Sequence, residues 1–145
     1  MNAQRLLESV HGHLGILCTV ALLHPAILMR RGLPLSRGAR WSLGLTMLVS
    51  VAAFAMGISI YEPYRATVKR TLVFQHPRVA VMFETKEHLA FVVLALALGA
   101  GIAAWFAPND AVETRRACAR VFAAATLLCL LVGALGTWAA SVHSL

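Results

Sequence analysis

Four runs of about twenty mostly apolar residues, parted by stretches that hold most of the charge, leave this chain few folds to choose from. A backbone crossing lipid has to satisfy every N–H and C=O internally, so each run reads as a transmembrane helix. The runs are Ser9–Met29, Trp41–Tyr61, Glu87–Phe106 and Ala117–Val142. Arg30-Arg31 stops the first, Glu62-Pro63 the second, and Ala107-Pro108-Asn109-Asp110 the third. Trp41, Trp105, Trp138, Tyr61 and Tyr64 fall near the ends of these runs, as an aromatic belt requires. The sequence therefore predicts an all-α fold, an integral membrane four-helix bundle in a single domain of 145 residues.

Composition agrees with lipid as the solvent. Hydrophobic residues make up 59% and charged residues 13%, where a soluble domain carries roughly a quarter charged. The net charge of +7 is not a nucleic-acid signature, because the arginines stand in short groups beside apolar runs. No zinc-finger spacing and no basic stripe interleaved with aromatics is present, so nucleic acid is not an expected partner. Cys18, Cys118 and Cys129 form no C-x-x-C and read as small buried hydrophobes. The first run is interrupted by His24-Pro25 and lacks an A-x-A site, which favours a retained span over a cleaved signal.

With four spans, the two short loops share one side and both termini share the other with the middle loop. The short loops hold seven of the thirteen Lys and Arg residues, more densely packed than the six opposite. That bias predicts short loops in the cytoplasm and both termini on the outer side, in a bacterial inner membrane. In the middle loop, Tyr64–Lys86, the residues Val68, Leu72 and Val73 alternate with Arg65, Lys69 and Arg70 at helical spacing. A short amphipathic helical segment folded back onto the mouth of the bundle follows.

Five of the six histidines fall at the outer end under this topology: His11, His13, His76, His88 and His143. Small residues mark packed faces in membranes. They suggest inward stripes of His11, Gly15 and Cys18 in the first span, and of Gly44, Ala55, Ser59 and Glu62 in the second. In the third span the stripe is Glu84, His88, Ala95, Gly99 and Ala103, and in the fourth Cys129, Gly136, Ala140 and His143. Each span would then bring an ionisable group to one end of the interior, where such groups are expensive unless paired, hydrated or bound.

Two sites fit that constellation. One is a b-type haem held by His13 or His11 facing His88, a bis-imidazole set suited to electron transfer. The other is a non-haem iron or other divalent metal held by Glu62, Glu84 and His88 with a first-span histidine, and with His143 as a further candidate. The same groups, beside Tyr61 and Tyr64, suit binding and deprotonation of a quinol. The ordinary alternative is that residues at span ends bond to head groups and water, which fits His76 and His143 best. His24, before Pro25, has no second histidine at its own end and reads as a hydrogen-bonded residue beside a kink. No P-loop, G-x-G-x-x-G, G-x-S-x-G or H-E-x-x-H motif is present, which argues against an independent enzyme. Four spans without an inverted repeat argue against a carrier. The expectation is a small redox-associated membrane subunit with a haem or metal near the outer face. Its alternative is a cofactor-free structural or assembly subunit of a larger membrane complex.

Overall fold

The structure is a computed structural model that describes residues 3–143. Helix α1 spans Ala3–Met29 and α2 spans Arg37–Tyr64. A π-helical turn at Arg65–Lys69 leads into the short α3, Arg70–Gln75. Helices α4, Pro77–Phe106, and α5, Val112–His143, complete the chain. The four long helices are each long and apolar enough to cross a membrane. They form a ring in which α1 packs on α2, α2 on α4, α4 on α5 and α5 on α1. Helices α1 and α4 therefore stand across the ring from each other. All-α architecture and a four-helix bundle are both as the sequence implies.

The core is built from small residues, which let helices approach closely where lipid supplies no hydrophobic drive. Cys18, Leu22, Ala26 and Met29 of α1 meet Leu43 and Ala53 of α2, Val93, Ala97, Ala100 and Ala104 of α4, and Cys118, Phe122, Ala125 and Cys129 of α5. Large apolar side chains such as Ile16, Leu45, Phe91 and Leu127 point outwards and are more than half exposed. That inversion of the soluble pattern is the one a lipid environment stabilises.

The helices run beyond the expected spans, and at two prolines the difference has a local cause. Helix α2 runs through Glu62-Pro63 to Tyr64, and α4 starts at Pro77, well before Glu87. Pro63 removes one helical N–H. The Arg65 N–H is shared between the Glu62 and Tyr61 carbonyls, and the π turn follows directly. Pro77 occupies the first turn of α4, where its missing N–H costs nothing. The expected fold-back is present. Val68, Leu72, Val79, Ala80 and Phe83 form a second small core with Ala139 of α5, and Tyr64 stacks on Phe83 at 4.8 Å. Arg65 and Arg70 point outwards, whereas Lys69 turns inwards.

Pro25 lies buried inside α1 without ending it. A proline at position 25 cannot donate to the carbonyl four residues earlier, which is Ala21. The Thr46 hydroxyl of α2 donates to that carbonyl at 3.0 Å. A neighbouring helix thus replaces the lost bond, the usual remedy where no water is present. Ser50, one turn further along α2, is met by the Cys18 thiol at 3.6 Å.

At the short-loop end, Arg115 is 1% exposed. Its guanidinium donates to Gly32 O at 2.8 Å, Pro108 O at 2.6 Å and Asn109 O at 2.8 Å. One side chain therefore ties the α1–α2 loop to the α4–α5 loop. Gly32 adopts φ +72, and a Cβ there would lie 2.6 Å from the Val112 side chain and 2.8 Å from its carbonyl. Only glycine fits both the turn and the close approach.

Candidate functional site: the polar cluster at the termini end

Helix periodicity decides which ionisable groups reach the interior. His11 is half-buried on α1, so close to α2 that a Cβ on Gly57 would meet its ring at 3.0 Å. Gly15 and Cys18 follow on the same face, as the sequence implies. His13 is exposed on the outer side of α1. Its Nδ1 lies 2.7 Å from the Ser9 carbonyl. A carbonyl only accepts, so Nδ1 carries the proton and Nε2 is left open to the outside. His88 repeats this on α4: it is exposed, and its Nδ1 donates to the Glu84 carbonyl at 2.8 Å.

The inward groups of α4 at this end are Lys86 and Glu87. The Lys86 ammonium lies 4.6 Å from the Phe83 ring centre, and its stem packs where a Cβ on Gly136 of α5 would sit 3.4 Å away. It is within electrostatic reach of both His11 and Glu87. Glu87 faces Lys69 of the π turn, Oε2 to Nζ at 3.5 Å, and Lys69 also pairs with Glu84 at 3.2 Å. The Lys69 side chain is only 15% exposed. Burial alone would depress its ammonium, but the Glu84 hydrogen bond and the Glu87 charge outweigh that and raise its pKa above 10.5. Tyr64 completes the group, in electrostatic reach of Glu8 and Glu87. Among the described residues, two side-chain polar atoms stay buried without a hydrogen-bond partner: His11 Nδ1 and Glu87 Oε1. A buried acceptor left unmade is costly, so such atoms mark a place where water or a polar ligand would be welcome.

The structure thus turns several candidate residues away from the interior. Glu62, Glu84 and His88 are exposed, and the stripes Ala55-Ser59-Glu62 and Ala95-Gly99-Ala103 lie on outer faces. Among the described residues, no three or more His, Cys, Asp or Glu side chains stand together as a metal site would need. His143 ends α5, but its side chain lies outside the described residues. His13 and His88 sit on outer faces of helices that stand across the ring, so they do not face one another. His24 bonds to Ser42 at 2.9 Å, and His76 is exposed beside Pro77, both in the ordinary roles expected of them.

The difference from the expected stripes is one of helical phase. Helix α4 carries small residues on two stripes, and Ala97, Ala100 and Ala104 are the buried one. Small size alone cannot choose between them. Continuing the buried stripe backwards from Val93 leads to Lys86, Phe83 and Val79, at i+3, i+4 and i+7 steps that were legible. In α2 the buried polar residues are Thr46 and Ser50, whose hydroxyls bond carbonyls of their own helix while Thr46 also reaches the Ala21 carbonyl of α1. Compared with protein-family models, curated proteins and solved structures, the chain matches none.

Proposed function

We propose that the protein is a small redox-associated subunit of a membrane complex, working at the end that carries the termini. Its part there is to handle protons beside an electron carrier, rather than to enclose a haem in its own core. The observation that carries this reading is the half-buried cluster of His11, Lys86 and Glu87, with the atoms His11 Nδ1 and Glu87 Oε1 unpartnered. Ionisable groups inside a membrane protein are expensive, and their commonest use is in proton paths and ligand sites. A quinone head is the ligand class that suits them, since it exchanges protons with a carboxylate or imidazole at head-group depth. A haem or metal belongs to the proposal only at the surface. His13 and His88 each hold the Nδ1–H to a backbone carbonyl and leave Nε2 free, the arrangement of a ligating imidazole with its outer support. Either would supply one ligand, and a neighbouring subunit the other. The proposed setting is a bacterial inner membrane, with termini outside and the arginine-rich loops in the cytoplasm.

The test is a dithionite-reduced minus oxidised visible spectrum of the protein purified in mild detergent with its co-purifying partners. Sharp α and Soret bands that vanish in His88→Ala or His13→Ala support a shared haem. A featureless spectrum with no saturable quinone binding, unchanged in Glu87→Gln, sinks the redox reading.

The second reading, a cofactor-free structural or assembly subunit, is favoured by the outward stripe Ala95, Gly99 and Ala103. It borders a shallow apolar groove of about 390 Å³ between α4 and α5, and small-xxx-small stripes are how membrane helices dock. On that reading Gly99→Leu abolishes co-purification of partners, while His88→Ala changes nothing.

A further inference from the structure

At the short-loop end, Arg30 closes α1 while Arg116 and Arg120 stand one turn apart on α5. With Glu113 they enclose a concavity of about 250 Å³. Its one carboxylate is engaged, since Glu113 pairs with Arg116 at 2.7 Å. Among the described residues no carboxylate pairs with Arg30 or Arg120, and Arg115 beside them is buried with only carbonyls for partners. The end as a whole holds seven arginines against Asp110 and Glu113. A concavity with that excess of positive charge is incomplete without an anion, and guanidinium forks match phosphate oxygens in geometry.

Depth identifies the anion. Along the sequence, Arg30 follows the apolar run of α1, and Arg116 and Arg120 flank the start of that of α5, positions that suit head-group level. Deeper along the same two neighbouring helices the surface is apolar and open: Ile27 and Leu23 on α1, Ala123 and Leu127 on α5. A molecule with a phosphate at one end and an acyl chain at the other meets both halves of this surface. We propose that Arg30, Arg116 and Arg120 form a site for the phosphate of an anionic phospholipid, whose chain lies along α1 and α5.

The test uses the full chain, delipidated in a zwitterionic detergent, with its unfolding midpoint followed as phosphatidylglycerol is added. The expected result is a saturable upward shift that equal amounts of phosphatidylcholine do not give. The double variant Arg30→Gln/Arg120→Gln should need roughly thirty-fold more phosphatidylglycerol, at about five-fold per arginine. Arg37→Gln/Arg40→Gln, which removes as much charge from the first turn of α2, should keep the wild-type response. Native mass spectrometry of Arg120→Gln alone, counting retained phosphatidylglycerol, gives the same answer if the double variant folds poorly. An equal shift from inorganic phosphate would make the site one for a free anion and overturn the lipid assignment. Equal loss in the Arg37/Arg40 variant would reduce the effect to bulk charge, and the absence of any lipid selectivity would remove the site.

Discussion

Single side chains hold the two ends of this bundle together, and their removal is measurable. Arg115→Ala leaves Gly32, Pro108 and Asn109 carbonyls without their shared donor. A loss of about 3 kcal/mol is expected in denaturant unfolding in detergent, the range for breaking a buried charged network. Arg115→Lys should recover little, because an ammonium cannot present the fixed fork that reaches three acceptors. Thr46→Val should cost about 1 kcal/mol, since it orphans the Ala21 carbonyl that Pro25 leaves open. Pro25→Ala restores the N–H that carbonyl lacks, so Thr46→Val should cost clearly less in that background. Equal costs in both backgrounds would refute the link. Lys69 carries a pH dependence. Its folded pKa is raised, so its pairing with Glu84 and Glu87 contributes fully below the unfolded value of 10.5. That contribution fades as pH climbs through the higher folded value. The stability difference between wild type and Lys69→Met should stay flat from neutral pH to about 10 and shrink above that. Of these residues, only the flanking character of Arg115 was readable in advance. The three carbonyls it meets come from loops far apart in sequence.

At the level of the helix, type and number were legible because twenty apolar residues in lipid admit one solution. Rotation about the axis was not. Helix α4 is apolar nearly all round, and a rule that small residues face inwards has two stripes to choose from, Ala95-Gly99-Ala103 and Ala97-Ala100-Ala104. Packing chose the second, with Gly101 against Met47 of α2 and Phe83 against Tyr64. That rotation carried Lys86 and Glu87 inwards and His88 outwards. The connection between α1 and α2 is tighter than its composition implies. Gly32→Ala forces a side chain into a left-handed conformation against Val112 backbone. The variant should lose about 2 kcal/mol or more in the same unfolding assay, with helix content by circular dichroism unchanged. Neither Pro25 nor Pro63 ends its helix, since a proline ends a helix only where its freed carbonyl and its ring cannot be accommodated. Thr46 serves Pro25, and a π turn follows Pro63.

For the whole molecule, the ring of four helices puts the start of α1, the end of α5 and α3 at one end, and the α1–α2 and α4–α5 connections, with the arginines that flank them, at the other. The proposed orientation can be read by labelling single cysteines in intact cells, since Cys18, Cys118 and Cys129 are buried and give little background. Cysteine at exposed Gln75 should label with an impermeant maleimide, and cysteine at exposed Ser36 or Asn109 should not until the membrane is opened. The reverse pattern would invert the orientation and place the His11–Lys86–Glu87 cluster at the cytoplasmic end. Sequence by itself determined that this chain is helical, crosses a bilayer four times and concentrates its arginines at one end. Those properties follow from hydropathy and charge summed along the chain, and they need no knowledge of neighbours. Only the packed bundle set that Lys86 and Glu87 rather than Glu62, Glu84 and His88 line its polar end, and that Arg115 is a clamp. Each depends on how a helix is turned about its axis, where neighbouring positions lie about 100° apart. Contacts between helices set those angles, and an apolar surface facing lipid on every side does not encode them.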